Sequence, residues 1–146
     1  SIINVLTQGV TYNVISLKEL FVIVYDWGQG WVNLPIAQSP IYLSLFDDFV
    51  SHNSYMNKLV ETFPDITNVV NTDQYKELIE SISNNGFDLL REPIIKVDGN
   101  CIIDGHHRVS ILLKMFGPDK KLFYLIPCIM VFGRRTWFPL RTILFF

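Results

Sequence analysis

The run Ile103-Asp104-Gly105-His106-His107-Arg108 constrains this chain more than any other stretch. It follows the apolar residues Cys101-Ile102-Ile103, which have strand composition. It precedes Val109, Leu112, Leu113 and Phe116, which recur at helical spacing. A strand that turns at a glycine straight into a helix aims several backbone N–H groups at one spot, because the first helical turn has no internal acceptors for them. The partial positive charge at that end favours an anion, above all a phosphate. Arg108 adds a fork of donors matched to phosphate oxygens, and Gly105 permits close backbone approach or a positive φ. Asp104 has three available roles: helix cap, metal ligand or base. His106 and His107 can donate to phosphate oxygens when protonated or in the right tautomer. Neighbouring helical side chains diverge by about 100°, so the two are poorly placed to chelate one ion. The bland alternative is an Asp-capped helix carrying two solvated histidines.

Charge narrows the partners. A net charge of −2 and a pI near 5.8 argue against a general nucleic-acid binder, which would carry a basic face, but leave room for a local phosphate site. With 49% apolar and 18% charged residues over 146 positions, a single domain spanning 1–146 with a real core is expected. Cys101 and Cys128 fall inside expected strands without Cys-x-x-Cys spacing. They read as buried free thiols rather than a zinc or redox pair, in keeping with a reducing, cytoplasmic compartment. The apolar stretch Leu122 to Phe132 is broken by Pro127 and too short to span a bilayer, so no membrane partner is expected.

Along the chain, residues 11–17 and Phe21 to Tyr25 have strand composition, and Trp27-Gly28-Gln29-Gly30-Trp31 breaks the second run. The two tryptophans could form a stacking surface for a base or sugar, although covering a core edge is the commoner role. Leu34 to Pro40 reads as extended or loop. Ser39-Pro40 marks a helix start, with Ser39 as N-cap. Leu43, Phe46 and Val50 follow at helical spacing, and a second helical piece runs from Tyr55 to Phe63. His52, between the pieces, reads as a loop histidine. Asp73 is the expected cap of the next helix, with Tyr75, Leu78, Ile79 and Ile82 buried and Gly86 closing it. A strand from Pro93, an Asp98-Gly99 turn and a second strand then lead into the box. The tail 134–146, with three arginines and an apolar end, could pack on the sheet, touch a partner or fray.

The Asp-Gly-His-His-Arg box between strand and helix resembles the ParB/sulfiredoxin-like superfamily, whose members carry a Gly-x-x-Arg box at this turn. The resemblance extends to the helix Gln74 to Gly86, the Pro-led strand Arg91 to Val97 and a closing strand Ile126 to Val131, so it covers about residues 73–132. It implies an α+β fold, a small mixed sheet with packed helices. The strand at 11–17 would join the core 73–132, and the helices at about 40–63 would be an insertion. Sulfiredoxin-type chemistry needs a cysteine where this chain has His106, and is not expected. The segment after residue 133 is too short for a helix-turn-helix module, so chromosome partitioning is not expected either. The chain most resembles free-standing members with an Asp-Gly-His-x-Arg box, among them nucleotide-dependent small-molecule kinases such as free serine kinases.

That resemblance implies a bound nucleotide, ATP or CTP, with Mg2+, and allows phosphoryl transfer to a small hydroxyl acceptor. Gly105, His106, His107 and Arg108 would hold the phosphates. Asp104 would hold the metal, and Glu92 is the candidate second carboxylate, orienting or deprotonating the acceptor. A non-catalytic nucleotide- or DNA-binding module, or a ParB-like nuclease, is the alternative.

Overall fold

The structure, a computed structural model, describes residues 10–87, 94–97, 99–127, 129–131, 134–136 and 141–145. Strand β1 (Val10–Ser16) ends in a 3-10 turn that the Ser16 and Glu19 side chains close reciprocally. Strands β2 (Phe21–Asp26) and β3 (Gly30–Pro35) form an antiparallel hairpin. A 3-10 turn leads to α1 (Pro40–Leu43), then come α2 (Val50–Thr62) and α3 (Thr72–Asn85). Beyond these lie β4 (Ile94–Val97), β5 (Cys101–Asp104), α4 (His106–Phe116) and β6 (Lys121–Pro127). The short strands β7 (Ile129–Val131) and β8 (Arg134–Thr136) pair with each other, and β9 (Arg141–Phe145) follows.

Among the described residues, seven strands form one mixed sheet in the order β1-β6-β9-β4-β5-β2-β3. Its pairs are antiparallel except β2 with β5, which run parallel through Phe21↔Cys101 and Val22↔Ile102. The fold is α+β. Its sheet is larger than the sequence suggests, because the hairpin and the tail both enter it. β9 lies between β6 and β4, so packing on the sheet is the tail's fate from 141 to 145. The strand expected at Ile126 to Val131 is divided: β6 ends at Pro127, and Ile129–Val131 leaves to pair with β8.

Alternation sets the two sheet faces. Ile15, Val22, Val24, Ile102 and Leu122 point inward and are buried, whereas their neighbours Val14, Ile23, Ile103 and Phe123 are exposed. Onto the inner face α4 lays Val109, Leu112 and Leu113, and its Ile111 turns the other way into a second cluster with Ile41, Met56, Leu59, Tyr75 and Ile82. Helix α4 is therefore sandwiched between the sheet and the other helices, and five successive residues from Val109 to Leu113 are buried.

Local signals fix several helix ends. The Ser39 hydroxyl accepts from Tyr42 N–H (3.2 Å), with Pro40 in the first turn as expected. For α3 the cap is Asn71 rather than Asp73: Asn71 Oδ1 accepts from Gln74 N–H (2.8 Å), and Gln74 Oε1 accepts from Asn71 N–H (2.9 Å). An amide at the cap with Gln three residues on satisfies two orphan donors at once, which an Asp two positions later, with Lys76 three residues on, cannot match. Helix α2 begins at Val50 and runs unbroken to Thr62, so His52 is helical and fully buried, not a loop residue. Among the described residues no helix is long and apolar enough to cross a membrane.

Candidate functional site

Strand β5 ends at Asp104, Gly105 takes φ +100°, and α4 begins at His106. Two constraints demand glycine here. The dihedral is left-handed, and a Cβ would come within 3.1 Å of Ile94 Cγ1 and 3.2 Å of Ile94 Cα. Gly105 is itself the N-cap, and no side chain caps α4. Asp104 is therefore not the helix cap. It lies one residue too early, an exposed carboxylate whose Oδ1 sits 3.5 Å from Arg108 Nη2. Arg108 is largely covered, with its side chain 16% exposed. The first-turn N–H groups of an 11-residue helix thus emerge beside one guanidinium and one carboxylate.

The two box histidines diverge, with ring centroids 6.1 Å apart. His107 turns inward, and its Nε2 lies 2.9 Å from Nε2 of His52. Nδ1 of His52 lies 3.0 Å from Oγ1 of Thr72, the first residue of α3. Tyr75 presents its ring edge-on to His107 (4.7 Å between centroids) and tilts against His52 (4.9 Å), while its hydroxyl donates to Ile41 O (3.1 Å). A nitrogen-to-nitrogen bond between imidazoles needs one N–H and one lone pair, so at least one of the two rings is neutral. Burial favours neutrality for both. It pushes His52 down to about 4 and His107 to about 3, the latter also through the neighbouring His106, His52 and Arg108 charges. His106 is pushed to about 3 by burial and then by His52. As a residue His106 is partly exposed, but its Nε2 is sealed from solvent and has no hydrogen-bond partner.

Three helices therefore meet at the first turn of α4 through one buried imidazole pair. Sequence reading missed His52, Thr72 and the ring contacts of Tyr75. His52 is 55 positions from His107, and a polar residue flanked by Ser and Asn carries no local sign of burial. At neutral pH the box histidines are not cations. His107 Nε2 is engaged by His52, and what these rings can give an anion is a neutral N–H.

Among the described residues no group of three or more His, Cys, Asp or Glu side chains converges as a metal cage. Magnesium held jointly with nucleotide phosphates needs only one or two carboxylates, and an exposed Asp104 at the turn fits that requirement. Glu92 lies outside the described residues. Cys101 is buried, its thiol pushed up by burial and pointed at Asn33 Oδ1 (3.6 Å), which suits an inert thiol.

Because β2 and β5 are parallel, their carboxyl ends leave the same edge of the sheet. Their ladder stops at Val22↔Ile102. Further along β2, the Tyr25 N–H is taken by the Tyr55 hydroxyl of α2 (2.9 Å). Tyr25 meets Trp27, Trp31 and Phe63 edge-on, Trp31 stacks on Phe63, and Trp27 Nε1 donates to Thr62 Oγ1 (2.8 Å). The tryptophans thus dock the hairpin onto α2. Beside them opens a groove of about 420 Å3.

Compared with protein-family models, curated proteins and solved structures, the chain matches none.

Proposed function

We propose that this chain is a nucleotide-phosphate-binding α+β domain of the kind the ParB/sulfiredoxin-like box implies, with the phosphates at the Gly105 turn. One observation carries the reading: α4 starts at a glycine with no side-chain cap, beside the guanidinium of Arg108. Ser39 and Asn71 cap their helices with side chains, whereas α4, like α2 with Phe49 at its N-cap, has no capping side chain, and among the described residues only at α4 does a guanidinium stand beside the bare end. The buried Nε2 of His106, without a partner, adds a polar atom beside that turn whose needs the protein does not meet. Magnesium would arrive with the nucleotide and be held by Asp104. It would neutralise phosphate charge, while Arg108 and the first-turn N–H groups orient the phosphate oxygens.

Phosphoryl transfer from ATP or CTP to a small hydroxyl acceptor is the reaction such a cradle would serve. Binding without chemistry is the second reading. It is favoured by the way His107 Nε2 is spent on packing rather than presented to a reacting group.

Calorimetric titration with ATP and CTP in the presence of Mg2+, followed by a turnover assay over a panel of small hydroxyl acceptors, separates the two. Arg108→Ala should weaken nucleotide binding by about 1.5–3 kcal/mol, tenfold or more, through loss of a charge-assisted contact. Binding equal to wild type would place the phosphates elsewhere. Asp104→Asn should abolish the magnesium dependence while leaving the fold intact.

A further inference from the structure

The Gly105 turn accounts for one end of a ligand only. The groove between the β2–β3 hairpin and α2 is a second feature at the same edge of the sheet, and the box reading does not use it. We propose that this groove seats an amino-bearing heteroaromatic ring, adenine or cytosine in class, of a molecule whose phosphates lie at the turn. The proposal rests on the phosphate reading above and assigns the other half of the ligand.

Adjacency follows from α2. His52 and Tyr55 lie three residues apart, on one face of the helix and separated along its axis by about 4.5 Å. His52 grips His107 in the first turn of α4, whereas Tyr55 lines the groove. One helix face therefore touches the anchoring turn and, one turn later, the groove. The parallel pairing of β2 with β5 brings the same two regions to one sheet edge by an independent route.

Size and chemistry select the occupant. A volume of about 420 Å3 falls within the range of about 300–1,000 Å3 typical of small-molecule sites. Tyr25, Trp27 and Tyr55 supply aromatic surface, and Asp26, Asn33 and Gln38 supply polar groups. None of the residues lining the groove is Lys, Arg or His, so a second phosphate gains nothing there. Asp26 Oδ1 accepts from Gly28 N–H (2.7 Å), which leaves its other oxygen to accept from a ligand N–H. Tyr55 Oη accepts from Tyr25 N–H and retains its own proton to donate. A flat ring laid against this aromatic surface, donating from an amino group to a carboxylate and accepting from a phenol hydroxyl, matches this set. Uracil presents a carbonyl oxygen where adenine and cytosine present the amine, and a carboxylate disfavours it.

Tripolyphosphate, ATP, CTP and UTP are the probes, titrated calorimetrically with Mg2+ into the whole chain. ATP or CTP is expected to bind at least tenfold tighter than tripolyphosphate and several-fold tighter than UTP. Gln38→Trp, at an exposed position, fills the groove from its rim. It should erase the margin over tripolyphosphate while leaving tripolyphosphate binding and the thermal midpoint unchanged. Asp26→Asn should erase the preference over UTP. If tripolyphosphate binds as tightly as both nucleotides, or if the margin survives Gln38→Trp, the ring does not sit in this groove. If tripolyphosphate fails to bind, the phosphate reading falls, and adenosine and cytidine alone then test the groove. Binding that Gln38→Trp removes sustains it, and absence of binding overturns it.

Discussion

Helices α3 and α4 begin about as differently as two helices can, and they begin against the same histidine. At α3, Asn71 and Gln74 exchange side-chain and backbone bonds and close the end within the chain's own atoms. At α4, Gly105 offers no side chain, and the first turn is steadied from outside by His52. His52 touches both starts, Thr72 on one side and His107 on the other. A helix end that caps itself needs nothing more and presents nothing to a ligand. An end that is held sideways, through a side chain on its buried flank, is fixed without a capping side chain of its own. Support at α4 therefore comes from atoms other than those of a cap.

The sideways support should make itself felt most strongly through pH. Burial lowers the folded-state values of His52, His106 and His107 to about 4, 3 and 3, below the ordinary 6.5. Above pH 6.5 both folded and unfolded chains carry neutral imidazoles, and no stability is linked to them. Below it the unfolded chain takes up protons that the folded chain refuses. Stability therefore falls with acidification until the folded values are reached. The slope should approach about 1.4 kcal/mol per pH unit for each imidazole that stays neutral. Urea unfolding at pH 7, 6 and 5 measures it. A curve flat across that window would mean the imidazoles are not held neutral, and the contrast between the two helix starts would lose its basis.

Gly105→Ala attacks the open start directly. The added methyl meets Ile94 and is forced to a left-handed φ, so a loss of about 2–4 kcal/mol is expected from strain and overpacking combined. Loss of nucleotide binding should accompany it. A variant that is fully stable would show that the close approach of β4 relaxes easily.

His52→Ala removes the support while leaving the box sequence untouched. A cavity and an unsatisfied His107 Nε2 should together cost about 2–3 kcal/mol in denaturant unfolding. Under conditions where the variant is folded, nucleotide affinity should still fall, because the first turn of α4 is no longer fixed. Unchanged affinity would mean that α2 supports the fold and not the site.

Asn71→Ala is the counterpart at the closed start and the mildest change. Loss of a cap should cost about 1 kcal/mol and leave ligand binding as it is. An effect on binding comparable to that of His52→Ala would erase the distinction between the two ends.

Much of this molecule is legible locally. The strand–glycine–helix order around Asp104 and Gly105, the Ser39-Pro40 start and the Gly86 stop each rest on the preferences of neighbouring residues, and the structure carries them. The buried stripe of α4 was readable too, except that Phe116 is exposed and Ile111 is buried on the opposite side: packed on two sides, the helix buries more than one stripe. Local signals failed where two candidates competed within a few residues. Asn71 displaced Asp73 as a cap because a partner stood three positions on, and α2 absorbed His52 because Tyr75, Thr72 and His107 gave a polar ring a buried place.

The sequence by itself determined the α+β alternation, the glycine turn and the basic residue beside it, since periodicity, turn chemistry and helix-end electrostatics act over a handful of positions. Only the tertiary structure decided that β9 enters between β6 and β4, and that β2 lies parallel to β5 with the aromatic hairpin at its far side. It also decided that His52 meets His107. Each of these joins residues far apart in the chain, and their free energy comes from pairing and burial that exist only once the sheet and helices have assembled. A strand carries the same alternation wherever it pairs, and a histidine carries no mark of the partner that will bury it.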